Sequence, residues 1–88
     1  MKGEVKMDGE IQEVVEVIVE IIDDDSTNKN IKESLSKVIN ILKQEEDLIV
    51  KIHNALQELE EITENKNMES FTRSSIFNVV SMLESLGN

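Results

Sequence analysis

The sequence predicts an all-α fold, a four-helix up-and-down bundle built from two helical hairpins. Its 88 residues include no proline, and the glycines Gly3, Gly9 and Gly87 leave residues 10–86 free of glycine. Residues that break helices are therefore lacking along most of the chain. Four segments repeat apolar residues at intervals of three and four, and short polar segments separate them. Connections this short place successive amphipathic helices side by side and antiparallel.

The first helix needs an argument, because it is rich in β-branched residues, which favour strands. In a strand, Glu16, Ile18 and Glu20 would share one face, and charge would enter whichever face was buried. In a helix, the glutamates align at spacings of three and four, away from the apolar stripe. That stripe comprises Ile11, Val14, Val15, Ile18, Ile21 and Ile22. Val17 and Val19 lie off it, where they either widen the buried face or mark a contact surface.

Each remaining helix has one apolar stripe with polar residues opposite. The stripes are Ile31, Leu35, Val38, Ile39 and Leu42 in the second helix, Leu48, Ile52, Ala55, Leu56, Leu59 and Ile62 in the third, and Ile76, Val79, Val80, Leu83 and Leu86 in the fourth. We expect Thr27 or Asn28, then Asp47, and then Asn67 to cap the helices that follow them.

The chain divides into a tail and one domain. Residues 1–9 match no helical period, so we expect them to form a disordered tail. Residues 10–88 form a single helical domain, because a chain of 88 residues has no room for a second core.

The two halves of the domain align without a gap at an offset of 41 residues, which places Ile21 on Ile62 and Leu42 on Leu83. This offset is typical of helical hairpin repeats of the HEAT type, so two such repeats are the alternative architecture. Any two helical hairpins of similar length also align by periodicity. Duplication and simple periodicity are therefore both compatible with the alignment.

Charge and composition exclude several classes of function. With 9 basic and 19 acidic residues, the chain has a net charge of −10, which argues against a nucleic-acid or anionic-membrane surface. The absence of cysteine excludes disulfides and thiolate metal sites, and it fits a reducing compartment. No apolar run approaches the roughly 18 residues of a membrane-spanning helix, and the first residues lack the apolar centre of a signal peptide. We expect a cytoplasmic protein that contacts neither nucleic acid nor membrane directly.

Residues 58–68, the pair Thr72 and Arg73, and residues 76–83 resemble the second half of uncharacterised protein family 0147, a small archaeal family. The resemblance extends over residues 11–86. Asn67, Met68, Thr72 and Arg73 match the family's second turn, with Lys66 and Glu69 in place of its prolines, and Thr27, Lys29, Asn30, Ile31 and Lys32 match the first turn, with Asn28 in place of proline. Losing a proline at the first turn of a helix is mild, since it only presets the backbone angle. The resemblance implies a four-helix bundle from the cytoplasm of an archaeon, and it implies no activity.

Two candidate binding sites have simpler structural interpretations. Asp23, Asp24 and Asp25 could hold a hard cation such as Ca²⁺ or Mg²⁺, but the glycine and glutamate of a calcium loop are missing at the required spacing. We therefore favour a solvated turn. His53 is the only histidine, so no transition-metal site or Cys/His nucleophile pair can form within one chain. We expect a surface histidine, no bound metal and no cofactor.

Arg73 and Phe71 lie at the start of the fourth helix. Arg73 could bind a partner's carboxylate or phosphate through two hydrogen bonds. We favour a structural role, in which it pairs with Glu69 one turn earlier, and we expect Arg73→Lys to leave the melting temperature nearly unchanged. An exposed Phe71 ring would suit a protein contact, whereas a buried ring would hold the chain onto the helix start. The sequence leaves both possibilities open.

No catalytic constellation is evident, because the serines and threonines near the fourth helix have no histidine or lysine spaced to activate them. We expect a non-catalytic protein–protein interaction module, not an enzyme, which docks a helical face onto a protein partner or onto a second copy. Apolar residues in excess of the stripes support this, namely Val17, Val19, Ile41 and Met82. The candidate contact residues are Phe71, Arg73, Val17 and Val19.

The alternative function is that of an acidic charge mimic, which occupies the binding surface of a basic nucleic-acid-binding protein. Such binding would weaken strongly with salt.

Overall fold

The computed structural model describes residues 2–65 and 68–87, with side chains described from residue 9 onward. Four α-helices make up this part of the chain, namely α1 (Lys2–Asp23), α2 (Lys29–Lys43), α3 (Leu48–Thr63) and α4 (Ser70–Gly87). No strand occurs among the described residues. The all-α prediction is confirmed, including a helix over the β-branched residues of α1.

Helix α1 is the longest of the four, with 22 residues, and its backbone is helical from Lys2. Side chains before Gly9 lie outside the described residues, so the disordered tail predicted at residues 1–9 stays a prediction. Within the described ranges, no helix combines the length and the apolar character needed to cross a membrane.

The helices form a closed ring in which each helix packs against two neighbours. α1 contacts α2 and α4, and α3 contacts α2 and α4, whereas the diagonal pairs do not approach each other within the described ranges. In two stacked HEAT hairpins, α1 would pack against α3 and α2 against α4. The up-and-down bundle is therefore confirmed, and the HEAT arrangement is not the architecture. The bundle measures 42 × 21 × 19 Å, with its long dimension along the helices.

The core repeats its pattern of burial from one hairpin to the other. Nine positions are buried in both hairpins at an offset of 41 residues, namely Ile11/Ile52, Val14/Ala55, Ile18/Leu59, Ile21/Ile62, Thr27/Met68, Ile31/Thr72, Leu35/Ile76, Val38/Val79 and Leu42/Leu83. In a closed ring, this offset maps α1 onto α3 and α2 onto α4. The two hairpins are therefore related by an approximate twofold axis that runs along the bundle.

The helix caps match the sequence predictions in part. The Asn28 side chain accepts a hydrogen bond of 2.9 Å from the third backbone N–H of α2, so Asn28 is the cap at this end. Thr27 serves the preceding helix instead, because its hydroxyl donates to the Ile21 carbonyl at 2.8 Å. Asp47 occupies the cap position of α3 without a capping side-chain hydrogen bond. The predicted cap Asn67 lies outside the described residues.

Candidate functional site

A groove runs along the outside of the bundle between α1 and α4. It consists of two clefts, placed end to end, of about 210 Å³ and 200 Å³. One cleft is lined by Val17, Glu20, Ile21, Phe71, Ser75 and Asn78, and the other by Glu10, Glu13, Val14, Met82, Ser85 and Leu86. These residues together are called the α1–α4 groove. Since α1 rises about 1.5 Å per residue, the groove extends about 15 Å from Glu10 to Glu20.

Phe71 stands at one end of the α1–α4 groove, and 63% of its surface is exposed. Of the two possibilities that the sequence left open, the structure therefore selects the exposed ring. Val17 lines the same cleft and packs partly against the core. Two of the predicted contact residues thus meet at one place, although they belong to helices at opposite ends of the chain.

Val19, another predicted contact residue, is 40% exposed and lies outside the α1–α4 groove. Val17, Ile41 and Met82, the other apolar residues in excess of the stripes, pack partly against the core. The two off-stripe valines of α1 therefore differ. Val17 widens the buried face and borders the groove, whereas Val19 faces solvent.

The α1 side of the groove is acidic and the α4 side is neutral. Glu10, Glu13 and Glu20 line it from α1, and the polar residues opposite them on α4 are serines and an asparagine. Residues 7–28 contain no lysine or arginine, and none lines the described groove. The three carboxylates therefore have no cation facing them from α4. By contrast, the exposed side chains of α2 include several lysines, namely Lys29, Lys37 and Lys43.

Arg73 has a structural role, but not the one predicted. Its guanidinium donates to the Thr63 carbonyl at 2.9 Å and to the Asn65 carbonyl at 3.1 Å. The Thr63 carbonyl belongs to the last residue of α3 and the Asn65 carbonyl to the turn that follows, where backbone acceptors lack partners within the helix and a cation is favourable. No ion pair joins Arg73 to Glu69, both of which are described residues, so the predicted pairing is wrong. Arg73 ties α4 to the end of α3 and is not part of the groove.

The aspartates that follow α1 form a hydrogen-bonded turn. The Asp24 carboxylate accepts hydrogen bonds from the Ser26 hydroxyl at 2.7 Å and from the Ser26 backbone N–H at 2.8 Å. These two bonds lower the pKa of the Asp24 carboxyl, and the nearby positive charge of Lys32 lowers it further. Within residues 2–65 and 68–87, no group of three or more acidic or histidine side chains is placed to hold a metal ion.

His53 is exposed, and it lines a third cleft, of about 370 Å³, between α3 and α4. The other described residues that line it are Ile49, Ile52, Leu56, Glu84 and Gly87. This set includes no serine, threonine or cysteine that the imidazole could activate. The cleft therefore offers an apolar surface beside a histidine and a carboxylate.

The sequence indicates only part of the α1–α4 groove. Val17 and Phe71 are identifiable because each is an apolar residue off its stripe. Met82 is identifiable in the same way, whereas Ser75 and Asn78 are not, because the sequence alone does not show which face of α4 packs beside α1. The signal that could have found the acidic side is the spacing of Glu10, Glu13, Val17 and Glu20, which places all four on one side of α1.

A closed four-helix ring with an acidic, partly apolar groove defines the chain as a small all-α bundle protein. The model of the Uncharacterised protein family (UPF0147) matches residues 1–86, and the chain belongs to this family. The predicted resemblance is therefore confirmed.

Relatives from several archaea share this description. The UPF0147 protein of Sulfurisphaera tokodaii is 37% identical over 81 residues, which cover 90% of this chain and 90% of the relative. That of Methanosarcina mazei is 31% identical over 77 residues, or 86% of this chain and 83% of the relative. That of Thermococcus kodakarensis is 36% identical over 76 residues, or 84% of this chain and 92% of the relative. No solved structure matches the chain.

Proposed function

We propose that this chain is a non-catalytic protein–protein interaction module that docks a partner onto the α1–α4 groove. The observation that supports this most directly is the 63% exposure of Phe71 beside the cleft that Val17 lines. Phe71 is one of only two aromatic residues in the chain. Burying a phenylalanine side chain against a partner stabilises a complex by about 1.5–3 kcal/mol, so this ring is a natural anchor.

The lining of the clefts supports a non-catalytic role. In the described residues, the one histidine lines a cleft without a nucleophilic side chain, and the serines of the α1–α4 groove face carboxylates and apolar groups. General acid–base and nucleophilic catalysis need a base, a nucleophile and an orienting group that converge on one point. We place the protein in the cytoplasm, which the absence of cysteine supports.

Affinity capture from the native cell extract tests the proposal, with Phe71→Ala compared against Phe77→Ala. Phe77 is the matched control because it is also a phenylalanine of α4, is 50% exposed and lies outside the groove. We expect a stoichiometric partner to be captured by the wild-type chain and by Phe77→Ala, and to be lost with Phe71→Ala. Circular dichroism establishes that both variants are folded. Equal capture by all three chains, or capture of no partner, would contradict the proposal.

A second candidate is an acidic charge mimic that occupies a basic nucleic-acid-binding protein. The acidic side of α1 favours the charge mimic. The exposed residues of α1 include five carboxylates with no cation between them in the sequence, namely Glu10, Glu13, Glu16, Glu20 and Asp23. Binding by such a mimic would fall steeply as salt screens the charges. Loss of the captured partner at a few hundred millimolar salt, with Phe71→Ala still competent, favours the mimic. Retention at that salt excludes it.

A further inference from the structure

We infer that the partner segment that fits the α1–α4 groove is a basic amphipathic helix, an inference that rests on the function proposed above. The groove joins an apolar floor to three carboxylates. Val17 supplies accessible apolar surface from α1, and Met82 and Leu86 supply it from α4. Val14 and Ile21 also line the clefts, but they are buried and form the base beneath this surface. A segment that covers this floor is brought directly against the acidic rim.

The charge pattern selects a basic segment. Glu10, Glu13 and Glu20 face only uncharged residues of α4 within the described groove. Any partner that covers the apolar floor removes water from these carboxylates, which is costly unless the partner supplies cations. Lysine or arginine side chains of the partner would supply them. An acidic or neutral segment would leave the carboxylates partly desolvated without compensation.

The same charge pattern disfavours the other occupants. Nucleic acid would bring phosphates against the three carboxylates. A second copy of this chain has a net charge of −10, so most of its surface repels the groove. The lysines of α2 are an exception, and a copy that used them would form a head-to-tail contact, which builds rings or open-ended filaments and not a simple dimer.

The shape of the groove favours a helix over an extended segment. Both walls are helices, whose backbone groups are bonded within each helix, so they offer no ladder of free donors and acceptors to a strand. An extended segment would therefore leave its own backbone groups unpaired over the apolar floor. A helix satisfies its backbone internally and packs its side chains between the rows of two antiparallel helices.

The positions of the carboxylates determine the pattern of the partner. Glu13 and Glu20 are separated by two helical turns, a rise of about 10.5 Å. A partner helix that lies along the groove matches them with cations at positions i and i+7. Apolar residues at i+3 and i+4 then fall between the cations, at the level of Val17, and Phe71 lies at the end of the groove beside Glu20.

A designed peptide tests the inference directly. The probe is an alanine-rich helix of about 15 residues with lysine at i and i+7 and leucine at i+3 and i+4, and its control is a scrambled peptide of the same composition. We expect the patterned peptide to bind the full-length chain at least about tenfold more tightly than the scrambled one in isothermal titration calorimetry. Equal binding of the two peptides would overturn the inference.

Two variants with the same change in charge locate the site. Glu13→Gln with Glu20→Gln removes two charges from the groove, and Glu45→Gln with Glu46→Gln removes two exposed charges from the connection between α2 and α3. We expect the groove variant to weaken peptide binding by about tenfold and the control variant by less than about twofold. Equal weakening by the two variants would overturn the inference, because it would indicate attraction to net charge alone.

Two further measurements separate this inference from the proposed function. A native partner whose capture depends on Phe71, but not on Glu13 and Glu20, would overturn the basic helix and leave the interaction module intact. Light scattering addresses the second copy. Self-association at micromolar concentration that Glu13→Gln with Glu20→Gln abolishes would overturn the inference in favour of a second copy. A monomer that binds the patterned peptide supports it.

Discussion

The two hairpins of the bundle bury side chains at the same positions, but they complete their helix ends with different chemistry. After α1, the hydroxyl of Thr27 donates to the Ile21 carbonyl from within the turn. At the position equivalent to Thr27, the second hairpin has Met68, whose side chain has no hydrogen-bond donor. Here Arg73, which belongs to the next helix, donates to the carbonyls at the end of α3 instead. Packing therefore needs only the apolar pattern, whereas each turn needs its own donors for the free carbonyls of the preceding helix.

The cation beside each turn illustrates the same difference. Lys32 and Arg73 are equivalent at the offset of 41 residues, as are Asp24 and Asn65. In the first hairpin, the hydrogen bonds from Ser26 are the main reason that the pKa of Asp24 is lowered, and the charge of Lys32 lowers it by a smaller amount. In the second, the cation donates to backbone carbonyls, one of them that of Asn65. The two equivalent cations therefore act differently, because Lys32 contributes only through its charge, whereas Arg73 makes directed hydrogen bonds.

The equivalence of the two cores is tested by Leu42→Ala and Leu83→Ala. Both leucines are almost fully buried, at 1% and 0% exposure, and they occupy equivalent positions. We expect each substitution to lower the free energy of unfolding by about 3 kcal/mol, within the usual range for a buried leucine. Urea denaturation followed by circular dichroism measures both. A difference of more than about 2 kcal/mol between them would show that the hairpins do not share the core equally.

If either alanine variant is too unstable to fold, Val38→Ala and Val79→Ala provide the same comparison with a smaller loss. These valines are also equivalent and fully buried.

The difference between the turns is tested by Arg73→Met and Lys32→Met. Arg73→Met removes two charge-assisted hydrogen bonds from the end of α3, and we expect a loss of about 2 kcal/mol in the free energy of unfolding. Lys32→Met removes only a partly solvated charge, with an expected loss below about 0.5 kcal/mol. The two carbonyl contacts also revise the expectation for Arg73→Lys, whose loss should fall between these two values, because lysine has no planar guanidinium that can donate to both carbonyls at once. Thermal and urea unfolding measure all three, and equal losses for the two methionine variants would refute the distinction.

The contrast between the shared core and the different turns also shows which parts of the structure the sequence predicts. The apolar stripes predict all four helices, because burial depends on a period that a single sequence displays directly. The contact between Arg73 and α3 is not predictable from spacing, because its acceptors are backbone carbonyls ten and eight residues away, and every residue has one. The groove is predictable at Val17 and Phe71, which stand out as apolar residues off a stripe. The polar residues that α4 contributes to the groove cannot be predicted without knowing that α1 packs against α4.

The two hairpins also differ at a pair of buried threonines, and we expect replacing these by valine to change the free energy of unfolding in opposite directions. Thr27 and Thr72 are both buried, but their hydroxyl groups differ. The Thr27 hydroxyl donates a hydrogen bond, whereas Oγ1 of Thr72 has no partner among the described residues. We expect Thr27→Val to lower the free energy of unfolding by about 1 kcal/mol, since it removes the hydroxyl bond to the Ile21 carbonyl and leaves that carbonyl with the backbone N–H of Asp24 alone. Thr72→Val should be neutral or stabilising by up to about 1 kcal/mol, because it removes an unpaired polar atom and keeps the shape. Denaturant unfolding of both variants decides this, and a loss for Thr72→Val as large as that for Thr27→Val would contradict it.

The smallest expected effect concerns the pH dependence of the first turn. Because its hydrogen bonds to Ser26 lower the pKa of Asp24 in the folded chain, the carboxylate stabilises the fold above its unfolded pKa and loses this contribution as pH falls below about 4. Asp24→Asn removes that contribution at neutral pH, so we expect its urea midpoint to fall less between about pH 7 and about pH 3 than that of the wild-type chain. Asp25→Asn is the matched control, since it removes the same charge from an exposed neighbour. If the two variants change the acid sensitivity equally, the effect belongs to net charge and not to the turn.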